Sequence, residues 1–431
     1  MLEDDELARE QFEDALVDGD VPFRRGTAQA ALRHGNFRII YFGTFASNIG
    51  TWMQNVVLGA YAYKLTHGSS LFVGLVFFAQ LGPLLFLSTL GGLLADVVDR
   101  RRFLVGAQLA QLGFSLVLAL IALSDHPSHA LILAAVAAVG ISNAVGAPGL
   151  NAILPTLVPR EDLAGAVSLA SVQMNLSRVI GPPIGALIYH SLSAAPVFAI
   201  NALTYLFAVI GLLWAKYPRR TNAQVAERGF ARLLSGARIA RRDPVLSHIL
   251  VTLFSFSLFS LTFVGLMPVI AERSLGLDSK SWQYGVLYAC FGLGAALGAV
   301  SVGTVFARVS KTKLLRPSFV AFAAVLAVFA LLREASFAYP VAFLLGYAYF
   351  VAITSLSTLI QSHLVDEERG RVMALWIMGF GGTVPVGVLV GGWITHITSI
   401  TAVIVAGAVW ALVLAAWSNA KSLESKGAPD V

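Results

Sequence analysis

Twelve stretches of this chain run for about 19 residues or more with hardly a charge inside them, which is enough for a helix to cross a bilayer core. They fall near 37–63, 71–94, 103–123, 130–152, 163–190, 194–215, 246–270, 284–307, 314–332, 338–362, 369–395 and 399–418. Hydrocarbon offers no partner for a lone backbone N–H or C=O, so segments of this kind are helices. Only 13% of the 431 residues are charged, against about 25% in an ordinary soluble domain. The expectation is an all-α membrane protein.

The charges that remain set an orientation. With the N-terminus in the cytoplasm, 25 of the 30 lysines and arginines fall in cytoplasmic tails, loops and helix entries. The other side holds only Lys64, Arg273, Lys280 and Arg333, and Arg178 lies within a span. This asymmetry predicts cytoplasmic termini. The net charge of +6 then follows from topology and anionic lipid and needs no nucleic acid. Residues 1–36 form a polar cytoplasmic tail with nine acids, and no cleavable signal is expected there. The single cysteine, Cys290, lies in an apolar run and permits no internal disulfide.

The segment Gly92–Leu104, GLLADVVDRRRFL, recurs in damaged form at Gly303–Leu315, GTVFARVSKTKLL. Gly303 matches Gly92, Lys311 matches Arg100, Lys313 matches Arg102 and Leu315 matches Leu104, while Ala307 replaces Asp96. A charged turn repeated half a chain apart predicts two related halves. The domains expected are an N-terminal six-helix bundle at 37–215, a basic cytoplasmic linker at 216–245, a C-terminal bundle at 246–418 and a tail at 419–431.

Twelve spans divided six and six, with this motif between the second and third, resemble the major facilitator superfamily. Gly92, Leu94, Asp96, Arg100 and Arg101 match its cytoplasmic signature; Val97 and Asp99 depart from it. The stretches SNIGTWMQNVVLGAYAYKLT (47–66) and AQLGPLLFLSTLGGLLADVVDRRR (79–102) are similar to the enterobactin-exporter and macrolide-efflux group. The resemblance implies that the loop latches the outward-facing state, a role carried onto Asp96 and Arg100, with Gly92 and Arg101 completing the motif. A plain positively charged anchor is the alternative.

Arg178 is the one charge placed deep in the membrane, fifteen residues into the fifth span. A charge there is costly unless it is partnered or functional. It suits either an anionic group on a substrate or a packing lock on carbonyls or an asparagine. The adjoining Gly181, Pro182, Pro183 and Gly185 resemble the superfamily's helix-five motif, which would kink the helix and admit a close neighbour. No acid falls mid-membrane; the nearest are Asp96 and Glu272 at span ends, so a proton carrier is not visible. Asn48, Thr51, Trp52 and Asn55 repeat at helical spacing and form a candidate substrate stripe. Tyr288 and Tyr347 join them, with Asn143, Asn151, Tyr349 and Gln361 as weaker additions; for any one of these a hydrogen bond between helices is the alternative.

No nucleotide loop, metal-ligand cluster or nucleophile–base arrangement is present in the sequence, so neither an enzyme nor a bound cofactor is expected. The reading is a monomeric secondary transporter of a bacterial inner membrane. It would export an amphipathic siderophore or drug, with a proton gradient as the driving force. A nutrient importer of the same fold, or a membrane sensor or scaffold, remains the alternative.

Overall fold

The computed structural model describes residues 25–87, 99–216 and 230–418, and every regular element among them is helical. The first span is Gly35–Leu65, and the described part of the second runs Ser70–Leu87. The third to sixth are Arg100–Ala122, His129–Ile153, Leu163–Ser191 and Ala194–Trp214. In the second half, the eighth, ninth, tenth and twelfth are Trp282–Gly303, Lys311–Leu331, Ala335–His363 and Ile400–Trp417. The seventh is built from Pro244–Ser255, a π-helical turn Phe256–Ser260, Thr262–Gly265 and Met267–Arg273. The eleventh is likewise interrupted, with π-helical Met378–Gly382 between Asp366–Ile377 and Thr383–Ile397.

Ten of these helices are long and apolar enough to cross a membrane on length and composition. The other two, the first and fifth, have 31 and 29 residues, or more than about 40 Å at 1.5 Å per residue. Length does not exclude them; polarity lowers them. They carry Asn48, Thr51 and Asn55 in one case and Gln173, Asn175 and Arg178 in the other.

The first span packs on the fifth and sixth, and the third on the fourth and sixth. The ninth packs on the tenth and twelfth, and the eighth on the tenth. Between the halves the fifth meets the eighth and the second meets the eleventh. The two cores differ in chemistry. In the first half, Gln54 accepts hydrogen bonds from Ser115 Oγ at 3.0 Å and Asn201 Nδ2 at 2.8 Å, all three side chains being buried. In the second half, Phe256, Phe319, Phe322 and Tyr349 interlock as an aromatic cluster. Outward-facing positions such as Leu120, Leu203, Phe207 and Phe337 are large, apolar and exposed, as a lipid-facing surface requires.

The face where the chain enters and leaves the bundle, the terminal face, carries two polar staples. Asp162, just before the fifth span, accepts from the Gly26 backbone N–H at 3.0 Å and pairs with His34 Nε2 at 2.8 Å. Arg25 and Glu161 form an ion pair beside it at 2.9 Å. These contacts hold the short helix Ala28–Arg33 against the start of the fifth span. The His34 ring and the Gly26 N–H keep the Asp162 carboxyl below its ordinary range. The second half reverses the arrangement: Asp243 caps the seventh span at Val245 and Leu246 and pairs with His363 Nε2 at 2.8 Å. Burial works to raise the Asp243 pKa, but the Leu246 N–H and the His363 ring prevail and lower it. The expected linker at 216–245 therefore contains a helix, Phe230–Arg242, packed on the start of the eleventh span, and the seventh span begins at Pro244.

Candidate functional site

A cavity of about 180 Å3 lies between the halves at mid-bundle. Trp52, Asn55 and Gly59 of the first span, Phe77 and Gln80 of the second and Arg178 of the fifth line its first-half wall. Val264 and Gly265 of the seventh, Tyr288 and Phe291 of the eighth, Tyr349 of the tenth and Phe380 and Gly381 of the eleventh line the other. The first-half wall sets one cation and two amides among Trp52, Phe77 and aliphatic residues, and the second-half wall is mainly aromatic. Gln80 Nε2 donates to Asn55 Oδ1, so these two amides hold each other on the cavity surface. Tyr288 Oη donates to the Val264 carbonyl at 3.0 Å, next to the interruptions that break the seventh span.

Arg178 is the centre of the site. Its guanidinium carbon lies 4.9 Å from the Trp52 ring centroid and 4.9 Å from that of Phe350, a cation held between two π faces. Its Nε is buried and has no hydrogen-bond partner among the described residues. Of the two roles left open by the sequence, a lock on carbonyls or an asparagine is not what the geometry shows: aromatic faces flank the group. A buried N–H donor without an acceptor costs on the order of 1–3 kcal/mol.

Gly181 and Gly185 of the fifth span lie against the first span. Gly181 lies so near the first span that a Cβ there would sit 2.7 Å from Trp52 Cβ and 2.8 Å from the Ile49 carbonyl oxygen. Gly185 meets Met53 in the same way, with a Cβ 2.9 Å from Met53 Cα. The fifth span nevertheless remains a single helix from Leu163 to Ser191 through Pro182 and Pro183. This contact brings Trp52 beside Arg178.

The first-span stripe divides. Trp52 and Asn55 reach the cavity. Thr51 turns into the first-half core, donating to the Ser47 carbonyl at 2.9 Å and approaching Tyr205 Oη at 3.4 Å. Asn48 is half-buried and is not among the cavity-lining residues. Tyr347 packs with Val302, Leu314 and Val351 away from the cavity, whereas its neighbour Tyr349 lines it. Asn143 is half-buried off the cavity, and Gln361 is exposed, donating to the Ser357 carbonyl at 3.1 Å. Asn151 falls within the fourth span. Gln80 had a signal, an amide within an apolar run. Phe77, Phe291, Phe350 and Phe380 had none, being four of 27 phenylalanines in spans that are apolar throughout.

Of the latch residues, Gly92 and Asp96 lie outside the described residues. Arg100 Nη2 reaches the Gly149 carbonyl at 3.4 Å, joining the third span to the fourth, and Arg101 is exposed. Asp99, which departs from the signature, caps the third span by accepting from the Arg102 N–H at 2.9 Å. On the face opposite the termini, Lys64 bridges the halves to Glu272 at 2.6 Å and Asp278 at 3.0 Å. Arg273 crosses back to Tyr63 Oη at 3.2 Å and the Gly68 carbonyl at 2.8 Å. The Ser70 hydroxyl donates to the Gly392 carbonyl at 2.9 Å. Above the cavity, therefore, the halves are closed on that side.

A family model described as transmembrane secretion effector matches residues 26–428. The enterobactin exporter EntS of Salmonella typhimurium is 27% identical over 347 residues, which cover 80% of this chain and 81% of that protein. Its counterpart in Escherichia coli O1:K1 is 26% identical over 344 residues, with the same coverage. Among solved structures, the nucleoside transporter NupG superposes with a TM-score of 0.70 at 13% identity, covering 91% of this chain and 99% of its own. A bacterial homolog of the human lysosomal transporter Spinster, inward-facing and unoccupied, gives 0.71 at 14% identity, covering 91% of this chain and 98% of its own.

Proposed function

The chain belongs to the transmembrane secretion effector family and is a membrane transporter of the major facilitator fold, not an enzyme; on that premise we propose that it exports an amphipathic small molecule bearing an acidic group. The molecule enters the central cavity from the terminal face, which the distribution of lysine and arginine assigns to the cytoplasm. It leaves when the halves separate at the opposite face, and the exchange is driven by protons. The membrane is a bacterial inner membrane, in keeping with the relatives' source.

One observation carries this reading: Arg178, whose Nε has no hydrogen-bond partner among the described residues, lies in a cavity whose second wall is mainly aromatic. Such a site favours a ligand combining an aromatic or apolar body with an anionic group. The name carried by the relatives, enterobactin exporter, makes that siderophore the first compound to test.

The test is transport into proteoliposomes sorted by orientation, under an imposed pH gradient, with labelled enterobactin and a panel of amphipathic acids. Accumulation in inside-out vesicles is expected; accumulation only in right-side-out vesicles would make the protein an importer. Arg178→Ala should reduce transport about tenfold to a hundredfold, the range for losing a charge-assisted hydrogen bond, and Arg178→Lys should retain part of it. Equal losses in both, matched by equal losses of thermal stability, would reduce Arg178 to a packing role.

A further inference from the structure

Arg178 and Trp52 belong to the first half, whereas Phe350 stands on the tenth span, in the second. We infer that Phe350 is a positioning residue that clamps Arg178 across the two halves and so couples the ligand state of that arginine to their rocking. The anion-contact role of Arg178 is taken from the reading above.

The geometry separates the two faces of the clamp. Trp52 and Arg178 are held together by the close packing of the first and fifth spans, so their contact travels with the first half as a unit. The contact to Phe350 crosses the interface. The arginine reaches it along a groove in the eighth span, where Gly292 leaves room: a Cβ there would sit 3.1 Å from the Arg178 carbonyl oxygen and 3.3 Å from its Cγ. Phe350 is itself fixed. Its ring meets Tyr349 edge-on at 4.8 Å, and Tyr349 stacks on Phe291 at 6.1 Å and Phe380 at 6.4 Å. Phe380 belongs to the π-helical turn of the eleventh span.

The attraction between a guanidinium and a ring depends on the positive charge that faces the ring. An anion paired to the free edge of Arg178 neutralises part of that charge and draws the group toward the cavity. Occupancy therefore weakens the Phe350 contact and leaves the Trp52 contact within its own half. In the arrangement seen here, with the face opposite the termini closed, the Phe350 contact is made. Losing it removes one interaction that favours this state over its alternative, which is the differential interaction that a ligand needs in order to shift a population.

The experiment places spin labels at Asp125→Cys and Glu334→Cys, exposed loop positions on the opposite face of each half, in a Cys290→Ser background in lipid nanodiscs. Electron–electron distance measurements then report closure of that face without any substrate. Phe350→Leu keeps an apolar side chain, though a smaller one, and removes the π face; it should shift the ratio of open to closed molecules about fivefold, the scale of a cation–π contact at a partly desolvated site. Phe350→Tyr keeps the π face and should match the unsubstituted protein. An unshifted leucine variant, or a tyrosine variant shifted as far as the leucine one, overturns the clamp. Benzoate, used as the anionic probe, should shift the unsubstituted protein in the same direction and add little in the leucine variant. An equal benzoate shift in both proteins overturns the coupling. No benzoate shift in either, with the leucine variant displaced, overturns the anion role of Arg178 and leaves Phe350 as a structural clamp alone.

Discussion

At the scale of single residues, the site depends on atoms that are missing as much as on those present. Gly181 has no Cβ, and with Gly185 this lets the first span pack closely enough for Trp52 to lie beside Arg178. Gly181→Ala would push a methyl group against the Ile49 backbone carbonyl, which cannot rotate away. The first and fifth spans would then have to part, at a cost of about 1–3 kcal/mol, as for other overpacked cores. A lower melting temperature in detergent should accompany weaker ligand binding, because Trp52 moves with the first span; binding unchanged at a reduced melting temperature would separate the two effects. Asn201→Leu makes a different test. It removes the 2.8 Å donor to Gln54 and leaves that buried amide oxygen with Ser115 alone, so stability should fall by roughly 1 kcal/mol with the cavity wall intact. Unfolding curves read beside ligand affinity would check it. Arg178 was legible in the sequence because one charge in an apolar span has few explanations. Phe350 was not, because nothing local distinguishes it from phenylalanines that face lipid. Thr51 shows the limit of periodicity: residues on one helical face can still point into two compartments when that face straddles a cavity and a core.

At the scale of elements, the terminal face is fastened by two histidine–aspartate pairs of opposite polarity. In the first half the histidine precedes the first span and the aspartate precedes the fifth; in the second half the aspartate precedes the seventh and the histidine ends the tenth. The partners are 128 and 120 residues apart in sequence, so no local pattern could have joined them. The turns they fasten were legible only as polar breaks. The Asp162 carboxyl is held below its ordinary value, so its contribution to stability is present above the unfolded carboxylate pKa, near about 4, and is lost as pH falls through the lower folded value. Acidification below about pH 4 should therefore free the Gly26–His34 segment before the spans melt. Hydrogen exchange in a peptide covering that segment should show it. Asp162→Asn should give fast exchange already at neutral pH; protection that survives this substitution would mean that helix packing alone holds the segment. The interruptions in the seventh and eleventh spans belong to this scale too. Gly379 packs closely on Phe254, and the π turn Met378–Gly382 brings Phe380 and Gly381 to the cavity.

At the scale of the whole molecule, the all-helical membrane fold was legible from the spacing of apolar runs, because hydrocarbon leaves a spanning segment of this kind no other regular structure. Which face is closed was not, since closure depends on side chains brought together from distant spans. Lys64 is the hub of that closure. It ends the first span, and its two acidic partners, Glu272 and Asp278, lie at the end of the seventh and in the loop beyond. Ser279 adds support, donating to Glu272 from its backbone N–H at 2.9 Å and its hydroxyl at 2.7 Å. Lys64 is 39% exposed and Asp278 60%, so solvent screening keeps the cluster to roughly 1 kcal/mol. That is small for stability but about fivefold in a two-state equilibrium, enough to redistribute a transporter that must cross between two arrangements in every cycle. Lys64→Ala should therefore leave the melting temperature nearly unchanged while raising the share of molecules open at the opposite face about fivefold, less at high salt. Lys64→Glu should open it further, by setting three acids together, and the exchange Lys64→Glu with Glu272→Lys should restore much of the closure. The Asp125–Glu334 spin-label pair reads all three variants. If the charge-exchanged protein stays as open as Lys64→Glu, closure rests on the Arg273 and Ser70 hydrogen bonds, and the ion cluster is incidental to it.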